Sequence, residues 1–194
     1  MHSKDIYRQV AQIHIENINQ GFLSTLGEGF LTLMYQAIDE SPSSTLIVKK
    51  YDEKVVGFVA GGSNFNHIYR EMFRYLPRLL YTLSPAFLRP SKILKIFKIV
   101  SYTNAEKSLG TLSHYELYSI AVIKKSRGKG VAKKLYTSLK HYFDDIEASE
   151  FKIVVGKNLT DANMFYIKMG AEPQKEISIH EGGKSIVYRH VLIS

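Results

Sequence analysis

The run Arg127-Gly128-Lys129-Gly130-Val131-Ala132 has the make-up of an anion-binding loop. It follows a strand-like segment, His114 to Val122, and opens a helical pattern at Val131. The first backbone N–H groups of a helix lack intrahelical partners, and the helix dipole favours negative charge beside them. Glycines let that backbone approach phosphate oxygens with no Cβ in the way, while Arg127 and Lys129 add charge. A glycine-rich turn before a helix is also an ordinary connector, so the loop alone leaves both readings open. A Walker A loop needs Gly-Lys-Ser/Thr after a longer spacing and a dinucleotide fingerprint needs three glycines; neither is here. The second chemical candidate is Glu116, a carboxylate in an otherwise apolar strand, uncommon unless exposed or used. By alternation it shares a face with Tyr118, Ile120 and Val122.

Around these residues the sequence predicts a regular framework. Ile6, Val10, Ile13 and Ile18 mark a helix from Asp5 to about Gln20, and Phe30, Leu33, Met34, Ala37 and Ile38 mark a second one that stops at Ser41-Pro42. Thr45 to Lys50 and Val55 to Ala60 read as a hairpin across Tyr51-Asp52-Glu53-Lys54. After the strand His114–Val122, a helix runs from Val131 to about Glu147 with Val131, Leu135, Leu139, Tyr142 and Ile146 facing inward. A short strand Phe151–Val155, a short helix Ala162–Met169 and a hairpin of Ile177–His180 with Ile186–Leu192 complete the order. Two helices, a hairpin, then strand-helix-strand-helix-strand-strand make a mixed α/β sheet domain.

The 194 residues suit one domain, with 45% hydrophobic and 23% charged residues, a globular balance. With no cysteine, disulfides, thiolate metal sites and a Cys nucleophile are excluded. The seven histidines are scattered without metal-ligand spacing, so no metal is expected. The polar start Met1-His2-Ser3-Lys4-Asp5 carries no secretory pattern, and no apolar run approaches the roughly 18 residues of a membrane span. The expected location is cytoplasmic. Eight basic and two acidic residues between His67 and Lys107 hold +6 of the net +8. The remainder is close to neutral, which argues against a nucleic-acid binder.

Three runs in order resemble the GNAT N-acetyltransferase family. Arg127, Gly130 and Ala132 fill the defined positions of its R/Q-x-x-G-x-G/A signature, and Leu117-Tyr118-Ser119-Ile120-Ala121-Val122 resembles its fourth strand. Asn158 to Gly170 is similar to its closing motif N-x-x-A-x-x-L-Y-x-K-x-G-F, with one extra residue between Asn158 and Ala162 and with Ala171 in place of Phe. The resemblance covers residues 114 to 171. It implies a GNAT fold: a mixed central sheet of six to seven strands flanked by helices, with a helical insertion, residues 64–108, between strands 3 and 4. It also implies acetyl-CoA as co-substrate and direct attack of an amine on the thioester, consistent with a chain that cannot form an acetyl-Cys.

On that resemblance, Arg127, Gly128, Lys129, Gly130, Val131 and Ala132 clamp the pyrophosphate. The backbone of Ile120, Ala121 and Val122 pairs with pantetheine, and Asn158 contacts pantetheine or shapes the opening between strands. Tyr166 stands where the family places a general acid for the leaving thiolate. Glu116, five residues before Ala121, is the candidate base, with His114 and Tyr118 as alternatives acting through water.

The insertion interleaves basic and aromatic residues (Tyr69, Arg70, Phe73, Arg74, Tyr75, Arg78, Tyr81), and Ser91 to Val100 reads as an amphipathic helix with Lys92, Lys95 and Lys98 on one side. It is consistent with a solvated face, a wall for an anionic acceptor, or a membrane-surface contact through residues 67–107. The expected acceptor is the primary amine of a small molecule or amino-sugar. An acyl-CoA-binding sensor without catalysis and a protein or peptide acetyltransferase are the alternatives. A homodimer is left open.

Overall fold

The computed structural model describes residues 1–18, 22–63, 68, 71–72, 74–75, 77–78, 113–180 and 183–192. Most of the insertion 64–108, including the predicted basic helix 91–100, lies outside the described residues. The order is α1 (Lys4–Asn17), α2 (Glu28–Glu40), β1 (Ser44–Tyr51), β2 (Lys54–Ser63), β3 (Tyr115–Val122), α3 (Val131–Asp145), β4 (Glu150–Gly156), α4 (Thr160–Lys168), β5 (Glu172–His180) and β6 (Gly183–Val191). Short 3-10 turns occupy Phe22–Leu26 and Lys124–Ser126. The insertion follows β2 and precedes β3, so the segment likened to the family's fourth strand is the third described here.

Among the described residues six strands form one sheet in the order β1-β2-β3-β4-β6-β5. All neighbours are antiparallel except β3 and β4, which α3 connects as a parallel pair. Core side chains divide between the two faces. α1 and α2 bury Ile6, Val10, Leu31, Met34 and Ile38 against Leu46, Phe58, Ala60 and Ala121. On the opposite face α3 and α4 bury Val131, Leu135, Leu139 and Tyr166 against Val59, Leu117, Val122, Ile153 and Val155. The α1 and α2 stripes read from the sequence are buried, apart from Ile18, half-buried beyond the end of α1, and Tyr7, Ala11, His14, Leu31, Tyr35 and Gln36 join them. In α3 the buried side chains are Val131, Leu135 and Leu139 with Tyr136 and Phe143, whereas Tyr142 is half-buried and Ile146, expected to face inward, lies past the helix end and is 38% exposed.

The sheet is not regular at its centre. Ala60 is opposite Ser119 while Gly61 is opposite Leu117, so Tyr118 is an extra residue in β3, a β-bulge. Gly61 permits it: a Cβ there would stand 2.9 Å from the Glu116 carbonyl oxygen and 2.9 Å from a Leu139 methyl. The bulge breaks the alternation expected along β3. Ile120 and Val122 pack with the α3 face, whereas Tyr118 and Ala121 pack with α1 and α2. Glu116 therefore does not share a face with Ile120 and Val122, because the extra residue reverses the facing of everything after it.

β5 also begins earlier than the apolar alternation suggested, at Glu172 rather than Ile177. Pairing with β6 over Glu172↔Arg189 and Pro173↔Tyr188 holds this polar stretch at the sheet edge, where few side chains need burial.

Candidate functional site

β3 and β4 pair at only two positions, Glu116↔Lys152 and Leu117↔Ile153. Beyond them β3 stays paired with β2 as far as Val122, and β4 with β6 as far as Gly156. The sheet therefore parts between its two central strands, and the β3 edge from Tyr118 to Val122 has no strand beside it among the described residues. Backbone groups on such an edge are a template for an extended chain.

The glycine loop closes the wide end of this parting. After the Lys124–Ser126 turn, Gly128 and Gly130 take φ of 72° and 75°, and Gly130, left-handed at ψ 5°, is the N-cap of α3. Among the described residues no side chain caps that terminus, and its first turn holds no acid. The amides of Val131, Ala132 and Lys133 therefore face outward without an intrahelical acceptor; the first helical bond runs from Lys134 N–H to the Gly130 carbonyl at 3.0 Å. Among the described residues, a Cβ at either glycine would meet nothing within 4 Å. Lys124, Lys125, Arg127, Lys129, Lys133 and Lys134 are exposed around it, with no acid between them. The arrangement is an anion site built from backbone, dipole and net positive charge.

Arg127 ties the loop to its neighbours. Its Nε donates to the Val122 carbonyl at 3.3 Å and its Nη2 to Asn17 Oδ1 at 2.8 Å, joining the end of β3 to the end of α1. Ile120, Ala121 and Val122 lie along the open edge leading into the loop.

Asn158 lies across the parting, exposed in the turn after β4, with its Oδ1 2.9 Å from the place a Cβ on Gly156 would take. The residue that organises this turn is Asn163, which sequence reading missed. Its Nδ2 donates to the carbonyls of Gly156 at 3.0 Å and Leu159 at 2.8 Å, and its Oδ1 accepts from Tyr188 Oη at 2.8 Å. A buried asparagine facing back along α4 carries no local sequence signal.

Glu116 stands at the vertex where the strands separate. Its carboxylate lies 3.4 Å from Lys152 Nζ, with the two side chains 25% and 16% exposed. Tyr118 is beside it, and burial, then the Glu116 charge, pushes the Tyr118 phenol well above its usual range, which makes it a poor base. His114 is exposed ahead of β3, at the paired end of the strands and away from the loop.

Tyr166 is 6% exposed in the core under α3, its ring centre 6.2 Å from Tyr136 and 6.1 Å from Tyr188. Burial raises its phenol far above neutrality, so it keeps its proton. The structure thus brings the loop, the β3 edge and Asn158 around one parting. Glu116 is set at its vertex, on the sheet face opposite the Tyr166 cluster. Among the described residues no group of acidic, histidine or cysteine side chains is arranged to hold a metal ion, and no helix is long and apolar enough to cross a membrane.

The family model described as "Acetyltransferase (GNAT) family" matches residues 15–171. The fold is similar to that of an N-acetyltransferase from Staphylococcus aureus Mu50 (TM-score 0.64, 13% identity, 99% of this chain and 96% of that one). It is also similar to a GNAT-family chain from Desulfovibrio desulfuricans (TM-score 0.62, 12% identity, 96% and 92%). An aminoglycoside 6'-N-acetyltransferase complexed with coenzyme A is a third such structure (TM-score 0.60, 10% identity, 98% and 91%). No curated protein is significantly similar in sequence.

Proposed function

We propose that this chain, which belongs to the acetyltransferase (GNAT) family, acetylates the primary amine of a small molecule or amino-sugar at the parting between β3 and β4. The family's reaction, acetyl transfer from acetyl-CoA, is the activity of the chain. What supports the location is the two-pair junction of β3 and β4 beside an uncapped, glycine-lined helix terminus. It offers a strand edge for an extended amide-bearing arm and, one residue run later, amides for its diphosphate.

In this reading the amides of Gly128, Lys129, Gly130, Val131 and Ala132 hold the pyrophosphate of acetyl-CoA. Arg127 braces the loop on α1, Ile120 to Val122 pair with pantetheine, and Asn158 borders the opposite side. Glu116 takes a proton from the acceptor ammonium. The freed nitrogen forms a bond to the acyl carbon and sheds its second proton to water as the carbon–sulfur bond breaks, and Tyr166 gives its proton to the departing sulfur. Both side chains then exchange protons with water. A molecule lying in a gap in the sheet is accessible from both faces, which is what a base and an acid on opposite faces require.

Residues 1–194 are read as one domain in a cytoplasmic protein, and the insertion as a wall for an anionic acceptor. Arg78, within it, shares a cavity of about 380 Å³ with Lys4, Arg8 and Glu28, where Arg8 is paired to Glu28 at 2.7 Å and Lys4 and Arg78 add the net positive charge.

Thiol release from acetyl-CoA, followed across a panel of amines that includes amino-sugars and their phosphorylated forms, tests the assignment. Turnover confined to small amines supports it. Coenzyme binding without turnover on any amine would assign a sensor instead, and turnover on peptides alone would move the acceptor class. Within that assay Tyr166→Phe is expected to lower kcat roughly 10- to 100-fold while leaving the acetyl-CoA KM nearly unchanged; equal kcat would remove the acid role.

A further inference from the structure

We propose that Ser119 is a hydrogen-bond donor to the reacting acyl group, its hydroxyl hydrogen left free for that role by a hydrogen-bond line from Tyr35 and His14 in the core. The inference rests on acetyl transfer at the β3–β4 parting. It concerns residues outside the loop, the pantetheine edge and the acid–base pair.

Three polar side chains form a line from α1 through α2 to β3. His14 Nδ1 is 2.6 Å from Tyr35 Oη, and Tyr35 Oη is 3.0 Å from Ser119 Oγ. His14 is 3% exposed and Tyr35 is fully buried, both within the apolar cluster that α1 and α2 make with the sheet. Ser119 is half-buried and follows the bulge residue Tyr118, on the part of β3 that has no β4 partner. The line therefore ends where the strand edge is open.

Core packing does not account for this arrangement. The far nitrogen, His14 Nε2, is buried and makes no hydrogen bond among the described residues, which is unfavourable against an apolar residue of the same shape. Burial also holds the imidazole neutral, pushing its pKa down to about 4. Tyr35, raised by burial, stays a phenol. Neutral imidazole carries one proton, and its position fixes the direction of the whole line.

With the proton on Nε2, a buried N–H has no acceptor, Tyr35 donates inward to Nδ1, and Ser119 donates inward to Tyr35. With the proton on Nδ1, His14 donates to Tyr35, Tyr35 donates to Ser119 Oγ, and the Ser119 hydrogen is left to point elsewhere. A buried N–H without a partner is rarer and costlier than a lone pair without one, so the second arrangement is favoured. Ser119 Oγ is then held as an acceptor by Tyr35, which leaves its hydroxyl hydrogen free to donate beside the open edge. A preorganised donor at this point strengthens as negative charge develops on the acyl oxygen.

Steady-state kinetics of Ser119→Ala, Tyr35→Phe, His14→Leu and His14→Asn, with urea unfolding of each, test the line. Ser119→Ala is expected to lower kcat roughly 10- to 100-fold, with the acetyl-CoA KM within about twofold and the unfolding midpoint little changed. Tyr35→Phe and His14→Leu should lower kcat in the same direction, and combining either with Ser119→Ala should add almost nothing. His14→Asn, whose amide N–H can stand near the Nδ1 position, should restore most of the loss seen in His14→Leu.

Ser119→Ala with wild-type kcat, or losses that multiply in the double variants, would overturn the proposal. So would an Asn variant as slow as the Leu one. If His14→Leu does not fold, the Tyr35→Phe and Ser119→Ala pair decides alone. Absence of turnover in the unmodified protein would instead overturn the acetyl-transfer reading on which the proposal rests.

Discussion

Replacing Gly130 with glutamate is expected to weaken acetyl-CoA binding roughly 100-fold or more, measured by calorimetric titration, with the fold retained. Two effects contribute, and they can be separated. Gly130 sits at φ 75°, ψ 5°, where an L side chain costs about 1–2 kcal/mol. That cost falls on folding, and Gly130→Ala isolates it, because a Cβ there meets nothing within 4 Å. The second effect belongs to glutamate alone. Its carboxylate enters the space over the uncapped amides of α3 and opposes a diphosphate held at the same point. Two unit charges about 4 Å apart near a protein surface oppose each other by about 4 kcal/mol. The same carboxylate can accept from those amides, which offsets part of the strain in the free protein. The alanine variant should therefore bind close to normally, and the glutamate variant should not. Unchanged affinity in Gly130→Glu would remove the loop from the coenzyme site.

Acid should destabilise the protein well before its carboxylates are neutralised. His14 and His190 are 3% and 4% exposed, and each has its pKa pushed down to about 4, for His14 by burial and for His190 by burial and then by Lys140. In the unfolded chain both return to about 6.5. Between those values the unfolded state binds more protons, so stability is complete above about pH 7 and falls as pH drops from 6.5 toward 4. A full shift of this size corresponds to about 3 kcal/mol per histidine, with a slope of up to about 1.4 kcal/mol per pH unit each. Urea midpoints at pH 7.5, 6 and 5 measure it, and a His190→Gln variant should show about half the slope. A midpoint unchanged from pH 7.5 to 5 would mean that the two imidazoles titrate normally in the folded state.

Much of the framework was legible because periodicity and punctuation agreed. The apolar stripe of α2 ends where Ser41 precedes Pro42, and α2 ends at Glu40; the stripe of α3 starts beside two glycines, and both have positive φ. The loop was readable because its conformation is a property of its own residues. The bulge at Tyr118 was not, since it depends on Gly61, a partner more than fifty residues away, and strand alternation consequently misplaced Glu116 relative to Ile120 and Val122. Asn163 and the His14–Tyr35–Ser119 line escaped for the same reason. Their partners lie on other elements, and within α1 and α4 these residues look like ordinary interruptions of a stripe. The bond from Arg127 to Asn17 was equally hidden, because only the packing of α1 creates it.

The narrow junction of the central strands has a mechanical corollary. β1, β2 and β3 form one slab and β4, β6 and β5 another, joined directly by two residue pairs and otherwise through α3 and the core. A coenzyme arm lying along the bare edge would act as a splint between the slabs, so that occupancy and rigidity rise together. Resistance to heat and proteolysis would then track the concentration of free ligand, and the acceptor would meet a framework already stiffened by its donor.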